Sequence, residues 1–596
     1  MSVAGPFGQR CPDSRSIAPF PVPAHRTERA LLTHSALGQE LRPSDNLLFA
    51  VNSSPTGHAF MNDHLTSSNP QSVAPVGSPF RHRAFTVMWI ATVVSNIGGW
   101  MYSVASGWLM TSLDSNAFIV SMVQVANSLP MFLFAIPAGA LADIVNQRRF
   151  LIVGESTITI VSAAFAALVW LHLITPVSLL LFSFVVTVGS AMTAPAWQSV
   201  VAKLVPKADL PSAVAANSAG INVSRAIGPA LGGIIIAAVG IAAPFWLDAF
   251  SNIGVIAALI WWRTPTRNAS ALPPEPFGSA IRTGLRYARY NPYLRATLVR
   301  TVAFFVFGSA YWALLPLVAR TRIAGGPALY GVLLGVIGAS AVGGAFLLRR
   351  LRKKFGADSI VAAASLGTAL ATALFALARY PALATVASLI AGACWIAAVS
   401  SLNVSAQVAL PEWVRGRGLA MYMTVLFGAL TIGSAIWGQL AVVAGLPAAL
   451  LLAAAGAAIG IPLTWRWKLQ TGANVDFSPS MQWPDPVTTH AIEADRGPVL
   501  VTVEYRIDPK NRIDFLHALG QNSRERRRDG AYDWGIFEDP ADDGRFIETF
   551  LTDSWLDHLR LHRRVTKADG ISEQAARRFQ IGDGPKVTHL ISAQRN

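Results

Sequence analysis

The amino-acid sequence predicts an all-α membrane protein with twelve transmembrane helices in two pseudo-symmetric halves of six, followed by a small soluble α+β domain. The chain is 52% hydrophobic and only 14% charged, a composition typical of proteins solvated mainly by lipid. Long apolar runs recur twelve times between residues 84 and 465, and features of the first six return in the last six. Beyond residue 497 these runs stop, which indicates a separate soluble domain.

The twelve apolar runs are the predicted transmembrane helices. Each is long enough to cross a hydrocarbon core of about 30 Å at about 1.5 Å per residue. The predicted spans are 84–110, 117–142, 149–171, 176–201, 213–241, 243–262, 297–319, 328–348, 358–378, 382–404, 418–441 and 445–465.

The segments around these helices set the predicted domain boundaries. The first eighty residues are rich in Pro, Ser, Asn and Gly without sustained apolar periodicity, so we expect them to be disordered. The predicted segments are a disordered N-terminal extension (1–80), transmembrane helices 1–6 (81–262), a cytoplasmic central loop (263–296), transmembrane helices 7–12 (297–470), a linker (471–496) and a ferredoxin-like soluble domain (497–596).

The distribution of charge argues against nucleic-acid binding and predicts the topology. The chain carries a formal charge of +15, but residues 1–80 and 497–596 each hold as many acidic as basic side chains, so the whole excess lies in 81–496. There the basic residues cluster in alternate loops, as the positive-inside rule requires. We predict no nucleic-acid partner, and a multi-pass protein of the lipid bilayer in the cell inner (plasma) membrane with both termini in the cytoplasm.

Two pairs of residues indicate that the second half of the membrane region repeats the first. Pro206 and Pro411 are 205 residues apart, and Gly228 and Gly433 are separated by the same number. Membrane folds built from internal repeats place their binding site at the repeat interface near mid-membrane. We therefore expect a central cavity between the two halves.

A loop with polar residues at fixed spacing joins the second and third predicted helices. Gly139 is followed four residues later by Asp143, then by Asn146 at the turn, and by Arg148 and Arg149. An acid at a helix end can satisfy free N–H groups of a neighbouring helix, and the basic residues can pair with acids or lipid head groups. This pattern resembles the loop signature of the major facilitator superfamily of transporters, which usually has glycine where this chain has Asn146. Because asparagine also tolerates positive φ, we expect the turn to be kept.

The fifth predicted helix carries a motif of small residues. Four of them recur at every fourth position and form one stripe, which lets a neighbouring backbone approach closely. Pro229 removes a helix hydrogen bond and permits a bend. The order Gly-Pro-x-x-Gly-Gly, which ends at Gly233, resembles the helix 5 motif of export-type antiporters in the same superfamily. The stripe consists of Gly220, Ser224, Gly228 and Gly232.

Residues 81–470 resemble the subfamily that includes the bacterial enterobactin exporter. The resemblance rests on the helix 5 motif, on Pro195–Gln198 and on the pair Asn222 and Arg225. It implies a major facilitator fold and export of a small molecule. The chain departs from the drug/proton antiporters of the superfamily, because residues 176–197 contain no charge where those transporters have a basic residue in helix 4.

Four charged residues in the predicted helices are the candidates for transport and coupling. A charge inside lipid costs about 2.5–3.5 kcal/mol on the insertion scale, so each suggests a function. Arg225 is the strongest candidate, because its depth near mid-membrane prevents simple snorkelling to the interface. Glu155 could equally be a partner of loop arginines, and Asp248, about a turn inside its helix, could be structural. The fourth is Asp143, at the end of the second helix.

The C-terminal residues predict a small α+β domain. Residues 499–506 alternate like a strand, 509–528 read as an amphipathic helix, and 533–538 and 545–551 flank a turn as two further strands. A second helix is expected at 553–564. This β-α-β-β-α order predicts a ferredoxin-like unit.

The same domain resembles the small antibiotic-biosynthesis monooxygenase-like domain, with Trp555, His558 and His562 near the expected helix. Those relatives act without a bound metal or flavin, so the resemblance implies no cofactor. His558 and His562 have the i, i+4 spacing of a metal-binding pair, but no acidic or cysteine third ligand lies nearby in sequence, so we predict no metal. The balanced charge suits an accessory domain that associates with itself or with another chain.

Transport, and not catalysis, is the predicted function. We predict a secondary active transporter of the major facilitator type that exports a small molecule (a siderophore, a drug or a secondary metabolite) with protons as the coupling ion. No P-loop signature occurs in the sequence, which argues against transport driven by ATP. Two alternatives make the C-terminal domain the active unit: a membrane-tethered oxygenase-like enzyme and a transporter-like sensor.

Overall fold

The computed structural model of the protein describes residues 78–201, 203–262, 277–471 and 492–593, together with 476, 480, 488 and 490. The predicted N-terminal extension therefore lies almost wholly outside the described residues. Within the described part, twelve helices are long and apolar enough to cross a membrane. The first six are α1 (Arg83–Leu113), α2 (Ala117–Ile144), α3 (Gln147–Trp170), α4 (Pro176–Val201), α5 (Leu210–Val239) and α6 (Ala243–Trp261).

A helix that the sequence analysis did not predict, α7 (Phe277–Tyr290), lies in the expected central loop. Asn291 ends this segment and caps the next helix, because its side chain accepts hydrogen bonds from the backbone N–H groups of Tyr293 and Leu294, both at 2.9 Å. The second six spanning helices are α8 (Pro292–Leu317), α9 (Pro327–Leu351), α10 (Ala357–Leu377), α11 (Pro381–Val408), α12 (Arg415–Ala444) and α13 (Leu446–Thr464).

The twelve predicted spans coincide with these helices to within a few residues at each end. The largest differences are at the start of α8, which begins at 292 and not at 297, and at the end of α11, which ends at 408 and not at 404. Helix α8 has Pro292 in its first turn, where the missing N–H is not needed. This helix therefore starts at a capping signal that precedes the apolar run.

Equivalent glycines of the two halves make equivalent contacts. A Cβ atom added at Gly228 of α5 would lie 3.0 Å from the backbone oxygen of Ile97 in α1. One added at Gly433 of α12 would meet the backbone oxygen of Val306 in α8. In both halves, the fifth helix thus touches the backbone of the first, which agrees with the repeat that the sequence predicts.

The two halves meet along a seam, formed by α5 against α9 and by α12 against α2. A Cβ atom added at Gly233 would lie 2.8 Å from the Cα atom of Gly331 in α9. Gly438 follows Gly233 by the same 205 residues, and a Cβ atom there would meet Ser121 of α2. Each fifth helix therefore packs closely, at a glycine, against the second helix of the opposite half.

The C-terminal residues form four strands and three helices. They are β1 (Val499–Arg506), α14 (Arg512–Asp529), β2 (Tyr532–Asp539), β3 (Asp542–Thr552), α15 (Trp555–Arg564), α16 (Lys567–Arg577) and β4 (Lys586–Ile591). The strands form an antiparallel sheet in the order β2-β3-β1-β4. Every second residue of β1 is buried, and Phe515 and Leu519 pack in the same core. The predicted β-α-β-β-α order is present, and α16 and β4 were not predicted.

Candidate substrate and coupling site

The stripe of small residues on α5 packs along α1. A Cβ atom added at Gly220 would lie 2.7 Å from Val93, and one added at Gly232 would lie 3.0 Å from the Cα atom of Met101. The Ser224 hydroxyl donates a hydrogen bond to the backbone oxygen of Val93 at 3.1 Å. The stripe therefore allows a neighbouring backbone to approach closely, as its spacing predicts, and the helix that approaches is α1.

A second edge of α5 faces the other half of the protein. The backbone oxygen of Pro229 lies 2.6 Å from the position of a Cβ atom added at Gly331, which also contacts Gly233. Further along α9, Gly338 packs against the backbone of Arg225. Because α5 is held on both sides by close backbone contacts, the backbone of Arg225 is fixed at the seam between the halves.

Arg225 has an aromatic neighbour in each half. Its guanidinium carbon lies 5.5 Å from the ring centre of Trp100 in α1, within cation–π distance. The phenol of Tyr311 in α8, in the other half, lies within electrostatic range of this guanidinium. Its Nε atom is buried and makes no hydrogen bond within the described part of the chain. A half-buried cation with unused hydrogen-bonding capacity therefore lies where the predicted cavity should be.

The two membrane acids have partners other than Arg225. Among the described residues, the structure shows no ion pair between Arg225 and either acid. Glu155 of α3, only 7% exposed, accepts a hydrogen bond from the indole N–H of Trp197 in α4 at 2.8 Å. Asp248 of α6, only 4% exposed, accepts one from the Ser162 hydroxyl of α3 at 3.0 Å. Both acids are thus held inside the first half.

Tyr311 belongs to an aromatic cluster in the second half. The ring of Trp395 in α11 lies 5.3 Å from that of Trp312, 5.1 Å from that of Phe305 and 6.2 Å from that of Tyr311. These edge-on contacts bury large flat aromatic surfaces. The second half therefore contributes aromatic area beside the cation of the first half.

The loop between α2 and α3 corrects the expectation for Asn146. This residue has a φ of −68°, and its side-chain oxygen accepts a hydrogen bond from the Arg149 backbone at 3.2 Å. It is therefore the N-cap of α3 and not a turn residue at positive φ. Arg148 donates to the backbone oxygens of Leu259 and Ile260 at 2.8 and 2.6 Å, which satisfies carbonyls at the end of α6 that have no helical partner.

The halves are in contact at the face at which α1 and α8 end, which we call the distal face. There the Arg320 guanidinium of the second half lies 5.5 Å from the ring centre of Trp108 in the first. At the opposite face, which carries α7, Cβ atoms added at Gly139 and Gly343 would meet no atom of the described residues within 4 Å. The Asp143 side chain, one turn from Gly139, lies outside the described residues.

Comparison with protein families identifies the family to which this architecture belongs. Residues 74–596 match the model of the family described as transmembrane secretion effector, which is a family of major facilitator superfamily transporters. The chain belongs to this family. The match includes the C-terminal domain, so the soluble domain is within the extent of the family model and not beyond it.

Several curated transporters are similar to this one. The staphyloferrin A transporter of Staphylococcus aureus is 23% identical over 44% of this chain and 65% of its own length. The multidrug efflux pump Tap of Mycolicibacterium fortuitum is 26% identical over 61% of this chain and 90% of its own length. Macrolide efflux protein A of Streptococcus pyogenes is 23% identical over 41% and 60%. The transporter thus spans less than two thirds of the first and third of these relatives.

Solved structures share the fold of the membrane region. The peptide transporter POT has a TM-score of 0.55 at 13% identity, covering 66% of this chain and 96% of that one. An inward-facing, occupied bacterial homolog of the human lysosomal transporter Spinster has a TM-score of 0.51 at 15% identity, over 66% and 98%. At such low identity these likenesses concern the fold, which is that of a multi-pass membrane transporter.

The C-terminal domain of the transporter contacts α7 and the segment just before α12, both at the α7 face. The Arg528 guanidinium lies 5.6 Å from the ring centre of Tyr287 in α7, and that of Arg564 lies 4.6 Å from the ring of Trp413, just before α12. Burial would lower the pKa of Arg528, but Asp529 and a second carboxylate outweigh burial and raise that pKa above its ordinary value. These cation–π contacts attach the domain to the second half.

Sequence reasoning missed residues whose partners are distant in the chain. Arg300 of α8 is buried and pairs with Asp358 at 3.2 Å, a contact that no local pattern indicates. The sequence shows no acidic or cysteine ligand near His558 and His562, and it gives no local signal for a histidine that is distant in the chain. The structure brings His589 of β4 beside them, and the three can offer nitrogen atoms within 4.8 Å of one another.

Proposed function

We propose that this transporter exports a small molecule from the cytoplasm by proton-coupled alternating access, with its substrate site at Arg225. One observation carries the proposal: a cation at the seam between the halves has aromatic neighbours on both sides and no ion-pair partner among the described residues. A buried charge is stable only with a counter-charge or water, so a substrate can supply the missing partner.

The chemistry around Arg225 favours one class of substrate. The guanidinium presents a planar fork that binds carboxylate, phosphate or phenolate groups. Trp100 and Tyr311 add flat apolar area next to it. We therefore propose a hydrophobic or aromatic molecule with one anionic or phenolic group. Siderophores, drugs and secondary metabolites include such molecules, and the names of the relatives specify a siderophore transporter and drug efflux pumps.

Coupling is proposed to use the acids of the first half. Glu155 and Asp248 are buried and each accepts a hydrogen bond from a neutral donor, so either can be neutral or charged without breaking an ion pair. Asp143, by its place in the loop signature, is proposed to hold the gate at the α7 face. Proton binding to these acids would shift the balance between the two conformations of the halves.

The α7 face is proposed to be cytoplasmic, because the arginine-rich loops lie there. The contact between Arg320 and Trp108, which joins the halves at the distal face, supports the proposal of an inward-facing state. Reporters fused after residues 205, 270 and 480 should all give cytoplasmic signals. A periplasmic signal at 270 would overturn the arrangement in two halves of six.

For the C-terminal domain we propose a ferredoxin-like fold of the monooxygenase-like type that acts as an accessory unit and self-associates. The strand order β2-β3-β1-β4, with helices on one face, supports the fold. On the other face, Phe537 is 60% and Leu590 51% exposed, which suits a contact with a second copy. Cross-linking of full-length protein in membranes should trap dimers that Leu590→Arg weakens.

Metabolite export is the experiment that tests the main proposal. Cells that lack the protein should retain a compound that wild-type cells release, and a protonophore should abolish that release. A chain that ends at residue 480 should keep part of the activity, because the substrate site lies in the membrane region. Complete loss in the shortened chain, with normal insertion, would favour the tethered enzyme or the sensor instead.

A further inference from the structure

We propose that the C-terminal domain binds one divalent transition-metal ion, Zn²⁺ by preference, through the imidazoles of His558, His562 and His589. The family comparison does not assign such a site, and it does not depend on the transported substrate. The proposal stands on the way in which two distant segments of the chain bring three imidazoles together.

Two elements supply the ligands. His558 and His562 lie one turn apart on α15 and therefore project from the same face of the helix. His589 is on β4, where it pairs with Val501, whose side chain is in the buried core of the domain. The face of the sheet that carries His589 is thus the one that α15 covers. The two segments are close only because β4 closes the sheet at its β1 edge.

The distances between the imidazoles suit a tetrahedral ion. The Nε2 atoms of His558 and His562 are 3.1 Å apart, and ligand atoms of all three histidines lie within 4.8 Å of one another. An ion with metal–nitrogen bonds of about 2.0–2.1 Å sets its nitrogen ligands roughly 3.3 Å apart. The helix pair already has this separation, and a rotation of the half-buried His589 ring would complete the set.

The surroundings favour metal binding over three independent histidines. His558 is fully buried, and its ring lies 5.4 Å from that of Trp555 in a tilted contact. Neutral imidazoles select zinc and its d-block neighbours, while magnesium and calcium prefer oxygen ligands. Three protein ligands leave a fourth position for water or another small ligand.

The site also lies close to the contact between the soluble domain and the membrane region. His562 is followed two residues later by Arg564, which packs on Trp413 before α12. An ion that ties α15 to β4 would restrict the helix that makes this contact. Metal occupancy would therefore stabilise the docked arrangement of the domain.

The test uses full-length protein purified in detergent with a tag that contains no histidine. Zn²⁺ binding is measured by calorimetry, and Co²⁺ binding by visible absorption, which reports four-coordinate nitrogen ligation. We expect one saturable site per chain and the absorption of tetrahedral Co²⁺. His562→Gln and His589→Gln should each weaken Zn²⁺ binding by about 100-fold or more. His517→Gln is the matched control, since His517 is exposed on α14 of the same domain, and it should bind as wild type does.

The outcomes are decisive in both directions. Circular dichroism and the melting temperature establish that His562→Gln and His589→Gln are folded, and Zn²⁺ should raise the melting temperature of wild type but not of these variants. The absence of saturable binding overturns the proposal. Equal binding by wild type and the cluster variants does so too, as does an octahedral Co²⁺ spectrum with equal loss in His517→Gln. Export need not be measured, so a failure here leaves the proposed transport function intact.

Discussion

The two halves of the membrane region have the same helical plan but different chemistry. Their fifth helices use equivalent glycines, Gly228 and Gly433, to approach their first helices. The first half adds a cation and two buried acids: Arg225, Glu155 and Asp248. The second half carries an aromatic cluster, a closed ion pair and the contact with the C-terminal domain.

The two halves therefore share the helix contacts that build the fold but not the side chains that bind or titrate. The repeat is kept where backbones touch, because a glycine contact at the seam depends on shape alone and must be matched in both halves for them to rock against each other. Side chains that bind or titrate need only one copy at a central site. The buried Arg300–Asp358 pair illustrates the contrast, since its charges neutralise each other at 3.2 Å and leave no partner for a substrate.

The largest effect is expected at Arg225. Arg225→Gln should lower export at least tenfold, equivalent to about 1.4 kcal/mol of lost stabilisation, because the amide cannot provide the charge. Arg225→Lys should keep part of the activity, since it retains the charge and loses the planar fork. Efflux of the released compound is measured at matched membrane levels. Arg349→Gln, at an exposed arginine of α9, is the control and should export normally. Normal export by Arg225→Gln would place the substrate site elsewhere.

A smaller, several-fold loss of export is expected when the acids of the first half are replaced by amides, which cannot bind or release a proton at this site. Glu155→Gln and Asp248→Asn keep an oxygen that can accept the bonds from Trp197 and Ser162, so packing should persist while proton binding is lost. The dependence of export on external pH should flatten. Asp358→Asn in the second half serves as the comparison, because it breaks an ion pair and should lower stability without altering that pH dependence. Identical pH profiles in all three variants would contradict a coupling role for the first half.

Gly233→Ala tests the shape of the seam and should have a moderate effect. The added methyl group would lie 2.8 Å from Gly331 Cα, so α5 and α9 must move apart, at a cost of about 1–3 kcal/mol. We expect a lower melting temperature in detergent and a few-fold slower export. Gly254→Ala is the matched control, because a Cβ atom there meets no atom of the described residues within 4 Å. If both variants behave like wild type, the seam is looser than these distances indicate.

The smallest effect is expected where the C-terminal domain contacts the second half. Trp413→Ala removes the surface on which Arg564 packs, at a cost of about 0.5–2 kcal/mol. Protease cleavage within residues 471–496 should become faster while export per molecule changes little. Trp170→Ala, at a tryptophan that is 68% exposed, controls for loss of an indole and should leave cleavage unchanged. An unchanged cleavage rate in Trp413→Ala would mean that other contacts hold the domain.

Much of the candidate site could be predicted from patterns that are local in sequence. The i+4 stripe from Gly220 to Gly232 indicated a close helix contact, because helical spacing fixes which residues share a face. Arg225 was identifiable from the cost of a charge in lipid. The neighbours of these residues were not predictable: Ile97 of α1 lies more than a hundred residues from Gly228 of α5 in the chain, and no local signal pairs the two. At Asn146, the residue type suited two local roles, and only the backbone angle distinguished a cap from a turn.

The sequence by itself determined the twelve membrane helices, their two-half repeat and the presence of a soluble domain, because hydrophobic length and spacing act over single segments. Tertiary structure alone decided which side chains meet. It placed Arg225 near Trp100 and Tyr311 and held Glu155 and Asp248 elsewhere. It also brought His589 beside a histidine pair that precedes it by more than twenty residues. Such meetings depend on how helices and strands pack in three dimensions, and packing is a property of the whole chain that no single segment encodes.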